Sequence, residues 1–405
     1  MKQLQFPLGV NYWPAAKAMY WWQNFDAAEV EQDFRRLAAA GFQVVRIFLI
    51  WEDFQPVPDK VSSRSLDCLV AVADVAACCG IKIQPTFFCG HMSGVNWMPE
   101  WMLSGPEQGR FPVMSQGQLR YLGIRNFYSQ QEIIEAQKLQ CREVAQALRG
   151  HQTLWAYDLG NESSNCVVPK DSQVARDWLA AMVGELKRVS DVPVTIGLHA
   201  EDLEDDRGLG PKDAAQYCDF LCMHGYPFYL DWVDHPLEVE VLPFLGLLTG
   251  WLGGKRVLFQ EFGVSDRILE RECSGDIEAA GAFYYERALH LLQRAGMWGA
   301  FAWCYSDYQP HLFDKPPLKE NPHERSFGLF KSDGSPKKAV GVFQEFARGV
   351  KEAADTGDAA WDLSWLKGED QDRFYHNPLL EIKRLYRKYK EWLAGSNDCS
   401  GGKEL

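Results

Sequence analysis

The chain has 405 residues, of which 46% are hydrophobic and 24% charged, with a net charge of −13 and a pI of about 5.2. This is ordinary globular composition, with enough apolar side chain for one large core or two domains. The acidic balance and the lack of a basic stripe argue against nucleic acid as a partner, because that binding relies on clustered Lys and Arg.

The chain shows no pattern typical of secretion or membrane insertion. Residues 1–14 lack the apolar core of a signal peptide, and no run of about 18 apolar residues is present to span a bilayer. Eleven cysteines is an odd number for a disulfide framework, and several lie within helix or strand patterns. We therefore expect a cytoplasmic protein with free thiols and no membrane partner, whose oligomeric state stays unknown.

Short apolar runs alternate with helical patterns along most of the chain. They predict eight strands, at residues 8–13, 42–51, 81–88, 153–158, 193–198, 219–224, 256–260 and 297–303. They predict helices between them at residues 27–40, 65–79, 131–149, 174–189, 236–252 and 276–295. This alternation is typical of a (β/α)8 TIM barrel or of a doubly wound open sheet. The G-x-G-x-x-G fingerprint that would favour the open sheet is missing after the first strand, so the sequence predicts the barrel.

The pattern changes beyond the eighth strand. We predict a barrel over residues 1–349 and a charged, partly helical extension over residues 350–405. Residues 377–393 have apolar side chains at helical spacing, which predicts a helix packed on the outside of the barrel. The last residues, 395–405, are polar and rich in Gly and Ser, and we expect them to be disordered.

Polar or aromatic residues stand at or just after the end of every predicted strand. They are Asn11, Tyr12, Arg46, Trp51, His91, Asn161, Glu162, His199, His224, Tyr226, Glu261 and Trp303. In a barrel the carboxyl ends of the strands meet at one rim, where active sites are built. Any one of these residues could be structural, but their repetition at every strand end indicates a site.

Two glutamates dominate the predicted rim. Glu162 follows the fourth strand directly after Asn161, and Glu261 ends the seventh. Carboxylates that face each other across a gap are the machinery of glycoside hydrolysis. A metal site at Cys218, Cys222 and His224 is not expected, because all three fall on one predicted strand rather than on knuckles separated by turns.

At these positions the chain resembles the clan A glycoside hydrolases, and most closely glycoside hydrolase family 5, the cellulase and mannanase family of retaining barrels. The residues that carry the resemblance occur in the family's order: Arg46, His91, Asn161, Glu162, His224, Tyr226, Glu261 and Trp303. The resemblance covers roughly residues 8–349, including the segment 327–339 before the last barrel helix. The sequence departs from the family at Ser163, where Pro is common, and in lacking the signal peptide of its secreted members.

The resemblance implies a role for each of these residues. Glu261 would be the nucleophile and Glu162 the acid/base of a double displacement. Arg46 and the Tyr226 hydroxyl would favour the ionised nucleophile. The remaining roles are substrate binding and support: Asn161 on the sugar 2-hydroxyl, His91 and His224 as positioning groups, and Trp303 as the floor under the sugar. Neither a metal nor a cofactor is implied.

Two long loops follow predicted strands and would shape the site. Residues 89–130 contain Trp97, Trp101, Phe111, Tyr121, Phe127 and Tyr128, and residues 304–326 contain Tyr305, Tyr308, His311 and Phe313. Loops of this length in a compact domain usually form lids or binding walls. If they close opposite sides of the rim, they favour a pocket for a terminal sugar or short oligosaccharide over an open groove.

The sequence therefore predicts a retaining β-glycosidase that acts on β-linked manno- or gluco-configured oligosaccharides, with β-mannosidase activity preferred. An endo-acting β-1,4-mannanase or cellulase is an alternative within enzymes, and it would need an open cleft. An inactive carbohydrate-binding barrel is an alternative of another class, which the presence of both Glu162 and Glu261 disfavours.

Overall fold

The computed structural model describes residues 5–106, 109–352 and 361–398. Its main sheet has eight parallel strands, labelled in chain order: β1 (Leu8–Asn11), β2 (Val44–Ile50), β3 (Lys82–Cys89), β4 (Tyr157–Asn161), β5 (Val194–Gly197), β6 (Leu221–His224), β7 (Val257–Phe262) and β8 (Gly299–Ala302). Neighbouring strands follow the order β6-β7-β8-β1-β2-β3-β4-β5. Backbone hydrogen bonds from Asp219 to Val194 (2.8 Å) and from His224 to Leu198 (2.8 Å) connect β5 to β6 and close the barrel.

The helices lie outside this barrel, between the strands. They are α1 (Ala27–Ala39), α2 (Trp51–Phe54), α3 (Ser63–Cys79), α4 (Gln131–Ala147), α5 (Ser172–Lys187), α6 (Glu201–Glu204), α7 (Pro211–Tyr217), α8 (Val241–Gly253), α9 (Asp266–Glu272), α10 (Ile277–Arg294), α11 (Lys338–Glu352), α12 (Gln371–His376) and α13 (Pro378–Asp398). The predicted (β/α)8 TIM barrel is therefore confirmed.

The predicted boundaries need three corrections. The fourth strand runs over Tyr157–Asn161 rather than residues 153–158, so that Asn161 belongs to the strand. The helix before β7 begins at Val241 rather than residue 236, because Glu238 caps a turn there by accepting from the Asp234 and His235 amides. The sequence pattern missed α7, which at seven residues is too short to show helical periodicity.

The barrel interior has an apolar lower layer and a polar upper layer. The lower layer is a separate cluster of buried residues: Val44, Ala156, Phe220, Cys222, Leu258, Trp298 and Phe301. Gly9 makes room for it, because a Cβ at that position would lie 2.3 Å from the Phe301 ring. This plug seals the amino-terminal end of the barrel, so that the polar layer above it opens only toward the carboxyl-terminal rim.

The segment after β3, predicted as a long loop, contains a second sheet. Its four short strands are His91–Met92, Val95–Trp97, Val113–Ser115 and Gln118–Arg120. The sheet was not predicted because strands of two or three residues carry no readable alternation. Most of the segment's aromatic residues pack in the core or face solvent, and Phe111 alone among the six lines the cavity described below.

The carboxyl-terminal helix α13 lies against α8. Helix α8 is apolar on all sides, and its outward-facing Phe244 packs against Tyr386 (4.9 Å between ring centroids), Tyr389 (5.6 Å) and Trp365 (5.6 Å). A helix without a polar face is stable only when other apolar side chains shield it from water, and those of α13 and Trp365 do so here. The domain boundary at residue 349 stays a prediction. Of the residues predicted to be disordered, 395–398 are instead the helical end of α13, and 399–405 lie outside the described residues.

Two features bear on the cellular setting. Within the described ranges, no helix is both long and apolar enough to cross a bilayer. The ten cysteines in those ranges are free thiols, six of them buried. Cys218 lies at the end of α7 and not, as predicted, on the strand that carries Cys222 and His224.

Candidate active site

The structure gathers the eight predicted site residues at the carboxyl-terminal rim of the barrel. A cavity of about 320 Å³ opens there, within the size range of small-molecule sites. Its lining includes seven of the eight: His91, Asn161, Glu162, His224, Tyr226, Glu261 and Trp303. Arg46 lies beneath them, fully buried, and bonds to both Glu261 and Asn161. Tyr12 and Trp51, also predicted at the rim, lie outside the cavity lining and bond to Asp33 and Gln55 instead.

Strand irregularities turn the functional side chains inward. The pairing of β6 with β7 shifts register between Met223 and His224, so that His224 pairs with Glu261 instead of Gln260. The extra residue lets two consecutive side chains, Gln260 and Glu261, both face the barrel interior, which a regular strand would not allow. A similar shift on β4 separates Asp158 from Asn161 and brings both to Arg46.

Arg46 is the centre of the polar layer. Its guanidinium donates to Asp158 Oδ2 (2.7 Å), Asn161 Oδ1 (2.8 Å) and Asn11 Oδ1 (3.1 Å), and it is paired with Glu261. Asp158 also accepts hydrogen bonds from the side chains of Thr86 and Gln260. A buried charge is tolerated only when it is paired and hydrogen-bonded. Asp158 was not singled out from the sequence, although its polar side chain inside an apolar strand was the available signal.

Glu261 is held on both of its oxygens. Arg46 contacts Oε1, and the Tyr226 hydroxyl donates to Oε2 at 2.9 Å. Burial raises the pKa of Glu261, the charge of Glu162 adds to that rise, and His224, Arg46 and Tyr226 oppose it. The carboxyl is 4% exposed, so a ligand in the cavity would reach it without intervening bulk water.

Glu162 lies on the opposite side of the cavity, just beyond β4. Its backbone is left-handed (φ 48°, ψ 45°), a conformation that is strained for a residue with a side chain and that occurs at functional sites. Its Oε1 lies 3.0 Å from His224 Nδ1, its Oε2 accepts from Asn165 Nδ2 at 3.3 Å, and His199 Nδ1 lies 3.8 Å away. Burial alone would raise the pKa of Glu162, but the neighbouring imidazoles His199 and His224 hold it below its ordinary value.

His224 connects the two carboxyl groups. Its Nε2 lies 3.0 Å from Gln260 Oε1, and the Gln260 amide nitrogen donates to Gln84 and Asp158, so Nε2 must carry the hydrogen of that bond. Its Nδ1 lies between Glu162 Oε1 (3.0 Å) and Glu261 Oε1 (3.6 Å). One further proton is therefore shared between His224 Nδ1 and Glu162. Burial would lower the pKa of His224, but Glu261 and Glu162 raise it, which favours the proton on the imidazole.

Asn161, His91 and Trp303 complete the predicted set. Asn161 Nδ2 donates one hydrogen to the His91 carbonyl at 2.7 Å and keeps a second for a ligand. His91 Nδ1 bonds to Asn96 Oδ1 at 2.9 Å, and its ring lies 4.4 Å from Phe111. Trp303 is 4% exposed and lines the cavity. It packs edge to face on Phe48 beneath it.

Sequence reasoning missed several residues of the cavity. Glu324, Asn321, His323 and Phe327 come from the loop after β8, Ser93 and Gly94 from the segment after β3, and Tyr229 follows β6. The aromatic residues predicted to close the β8 side do not line the cavity, and the Tyr305 hydroxyl bonds to Asp33 instead (2.6 Å). Polar loop residues have no periodicity that would single them out.

The two loops meet across one side of the rim. Ser93 Oγ donates to Glu324 Oε2 at 3.0 Å, and Asn321 Nδ2 donates to the Ser93 carbonyl at 3.0 Å. Gly94 permits this approach, because it has φ +79° and a Cβ there would lie 2.7 Å from Asn321. We call this contact between residues 93–94 and 321–324 the loop bridge.

Glu162, His224 and Glu261 also form a group that could hold a metal ion, since their ligand atoms lie within 4.8 Å of one another. Both Glu261 oxygens already accept from Arg46 and Tyr226. The guanidinium charge beside Glu261 would repel a cation placed between the three residues. The donor set is therefore better suited to proton and carboxylate chemistry than to a resident metal.

Comparison with known proteins found relatives by structure. No protein-family model matches the chain, and no curated protein matches it in sequence. Exo-beta-1,4-mannosidase Op5Man5 from Opitutaceae bacterium strain TAV5 is 28% identical over 85% of this chain, with a TM-score of 0.70, and the match spans 59% of that protein's length. GH5_18 from Streptomyces cattleya, in complex with GlcNAc, is 20% identical over 94% of this chain and 93% of that one, with a TM-score of 0.74.

A variant of the Streptomyces protein, bound to Manb1-4GlcNAc, is likewise 20% identical, with coverages of 93% and 92% and a TM-score of 0.73. GH5_18 from Bifidobacterium longum subsp. infantis is 19% identical over 85% of this chain and 79% of that one, with a TM-score of 0.72. The chain is therefore similar to an exo-beta-1,4-mannosidase and shares its barrel fold with proteins named GH5_18, in agreement with the resemblance that the strand-end residues indicate.

Proposed function

We propose that this protein is a retaining β-glycosidase that releases a terminal β-mannosyl residue from short oligosaccharides by double displacement. The observation that carries the proposal is the spacing of Glu162 and Glu261, whose closest-facing oxygens lie within 4.8 Å at the open end of the barrel. Retaining enzymes need their carboxyl groups about 5–5.5 Å apart, whereas inverting enzymes leave about 6.5–9.5 Å for a water molecule.

Glu261 is the proposed nucleophile. It attacks the anomeric carbon and forms a covalent glycosyl-enzyme intermediate, which water then hydrolyses. Two groups, Arg46 and the Tyr226 hydroxyl, stabilise the ionised carboxylate that must attack. Arg46 and Tyr226 remain in place when Glu261 loses its charge on bonding to the sugar, so they also hold the orientation of its carboxyl group.

Glu162 is the proposed acid/base, and its proton comes from the pair that it forms with His224. In the free site the shared proton lies on His224 Nδ1. A leaving-group oxygen that binds at Glu162 takes this proton through the carboxyl as the glycosidic bond breaks. In the second step Glu162 removes a proton from the attacking water, which returns the pair to its starting state.

The shape of the rim supports exo action. Strands β1 and β2 lie between β8 and β3, so the loop bridge, which connects the segments after β8 and β3, covers that side of the rim. The loop bridge also reaches the side of β6, where the hydroxyl of Tyr229 bonds to His323 at 2.8 Å. A cavity closed on these sides suits the end of a chain better than an open groove, as a pocket for a terminal sugar requires.

The choice of a mannoside is supported by the compared proteins, one of which is an exo-beta-1,4-mannosidase and another of which holds Manb1-4GlcNAc. An endo-acting mannanase or cellulase is the second candidate within enzymes, and it would have to bind a chain through the side that the bridge covers. The proposal includes a cytoplasmic setting, which is supported by the ten free cysteines of the described ranges. The proposed reaction uses neither a cofactor nor a metal.

Two glutamate variants test the mechanism on an aryl β-mannoside with an activated leaving group. Glu261→Ala should abolish turnover, because the first step needs a nucleophile. Glu162→Ala should still form the intermediate, because such a leaving group needs no protonation, and azide should accelerate its turnover and yield a β-mannosyl azide. Equal residual rates in both variants, with no azide product from either, would remove the role assignment.

A second measurement tests the substrate and the mode of action. Wild-type protein is incubated with aryl β-mannoside, β-glucoside and β-galactoside, and with manno- and cello-oligosaccharides. We expect release of mannose alone from the oligomers, with the β-configuration kept in the first product seen by NMR. Products of mixed length would favour the endo-acting alternative, and a lack of turnover of every glycoside would favour the inactive binding barrel.

A further inference from the structure

The cavity contains a third carboxyl group that the proposed chemistry does not use. Glu324 belongs to the loop after β8 and lines the same cavity as Glu162 and Glu261. It is 8% exposed, so it is as buried as the residues of the rim. Acidic side chains are almost never buried without a partner or a function.

The protein satisfies this carboxyl only in part. Ser93 Oγ donates to Oε2 at 3.0 Å, and His323 Nε2 lies 3.4 Å from Oε1. A carboxylate has about four acceptor positions, so positions remain on a group that faces the cavity. Burial and the charges of Glu261 and Glu162 raise its pKa to about 7, against the hydrogen bonds from Ser93 and Trp303 that lower it. Near neutral pH it can therefore both accept and donate hydrogen bonds.

Its position fixes which end of a sugar it would meet. The anomeric carbon must lie between Glu162 and Glu261, near β4 and β7. The loop bridge, which holds Glu324 through Ser93, closes the far side of the cavity over β1 and β2. Because Glu324 lines the same cavity as both carboxyl groups, a pyranose ring whose far end faces the bridge directs its 4-hydroxyl, the group opposite the anomeric carbon, toward Glu324.

We propose that Glu324 binds the 4-hydroxyl of the terminal sugar and so determines that only an unsubstituted chain end is accepted. The inference rests on the proposed function and deepens it. In a β-1,4-linked chain the 4-hydroxyl of every internal sugar carries the next residue, which the loop bridge would exclude. The carboxyl replaces the hydrogen bonds that this hydroxyl loses on leaving water, and such charged bonds are among the strong ones.

Deoxygenated substrates test the contact directly. The kcat/KM values of wild type, Glu324→Gln and Glu324→Ala are measured on an aryl β-mannoside and on its 4-deoxy analogue. Wild type should prefer the parent compound about 10- to 100-fold, which corresponds to one hydrogen bond to a charged group. Glu324→Ala should lose activity on the parent and show less than about 3-fold preference, with Glu324→Gln between the two.

Glu320→Gln is the matched control, because Glu320 lies on the same loop but is exposed to solvent. It should keep the wild-type preference. Equal preference in wild type and Glu324→Ala, or a preference carried by the 3- or 6-deoxy analogue instead, would overturn the proposal. Thermal unfolding of each variant separates loss of the contact from loss of the fold.

A binding measurement separates this proposal from the proposed reaction. Methyl β-mannoside and its 4-deoxy analogue are titrated into Glu261→Ala protein, with and without Glu324→Ala, by calorimetry. The difference in Kd between the two ligands should disappear with Glu324, whether or not the wild type turns over any glycoside. An unchanged difference without Glu324 would overturn the contact, whereas failure of both ligands to bind would count against the mannoside substrate of the proposed function.

Discussion

The floor and the mouth of the cavity are built differently. At the floor, Arg46 donates to side chains from β1, β3, β4 and β7, and each of these has further partners. At the mouth, the loop bridge is held by two hydrogen bonds, from Ser93 to Glu324 and from Asn321 to the Ser93 carbonyl. The positions of the side chains at the floor are fixed by several hydrogen bonds each, and the strands that carry them are rigid. The mouth depends on a few contacts between loops, which can change without disturbing the barrel.

The largest effect is expected at the floor. Arg46→Met leaves Asp158 and Glu261 buried without their counter-charge, and breaking a buried pair in this way costs about 3–5 kcal/mol. We expect that loss in urea unfolding, together with turnover below detection. Arg46→Met combined with Asp158→Asn should lose less than the two single changes added together, because one variant relieves the charge that the other exposes. Strict additivity would mean that the two residues are not coupled.

The second prediction concerns the pH dependence of the floor. The Tyr226 hydroxyl donates to Glu261 and stabilises its charged form, so Tyr226→Phe should raise the pKa of that carboxyl further. The acidic limb of kcat/KM, which reports the ionisation of the coupled pair, should then move to higher pH while the basic limb stays. The rate at neutral pH should fall about 10- to 100-fold.

The control for that experiment is Tyr229→Phe. The ring of Tyr229 lies 6.0 Å from that of Tyr226, but its hydroxyl bonds to His323 rather than to Glu261. It should leave the acidic limb in place. A limb that moves in both variants, or in neither, would show that the hydroxyl of Tyr226 does not act on the nucleophile.

The third prediction concerns the mouth. Asn321→Ala removes one of the two hydrogen bonds of the loop bridge, which lies outside the eight-stranded barrel. We expect aryl β-mannoside turnover to fall less than about 10-fold, since one hydrogen bond away from the reacting atoms is lost. Manno-oligosaccharides should in addition give a minor fraction of products longer than mannose. Release of mannose alone from this variant would indicate that the end of the cavity is closed by something other than the bridge.

The difference between the floor and the mouth of the cavity also explains how much of the site could be predicted from the sequence. Strand ends combine an apolar run with one or two polar residues, and this pattern found Arg46, Glu162 and Glu261 from the sequence alone. The polar side chain of Asp158 was visible three residues before Asn161, but its role was missed because the register shift on β4, which brings both residues to Arg46, cannot be read from the sequence. Asn11 and Asn161 likewise owe their exact partners to that geometry.

The mouth could not be predicted in this way. Ser93 and Glu324 are 231 positions apart, and their contact depends on a positive φ at Gly94 and on the small sheet after β3. The aromatic residues of the same loops were a misleading signal. Their apolar area drives most of them, such as Trp97 and Tyr305, into the core rather than onto a ligand. The contact between Ser93 and Glu324 depends on the tertiary structure and has no signal in the sequence.

The smallest effect is expected far from the cavity, in the carboxyl-terminal helices. Glu369 precedes α12 and accepts from Arg384 and Lys388 of α13. The Arg384 bond first and the Lys388 bond after it, against the opposing effect of burial, lower the pKa of Glu369 to about 2. Because the pKa is lower in the folded state than in the unfolded chain, the contribution is fully present above about pH 4.3 and is lost as the pH falls toward 2. The Glu369→Gln variant should therefore unfold about 1 kcal/mol more easily at pH 7, and this difference should shrink to nothing near pH 2.

Glu345→Gln on α11 is the control, since the Glu345 side chain is 78% exposed and its contact with Arg348 is 4.0 Å long. Glu345→Gln should leave the free energy of unfolding unchanged at both pH values. Neither variant should change kcat/KM, because neither residue lies in the cavity lining. A Glu369→Gln difference that persists unchanged at low pH would show that packing, rather than charge, attaches α13. A loss of activity in Glu369→Gln would mean that the packing of α13 on α8 also affects the position of β7, the strand that carries the proposed nucleophile Glu261.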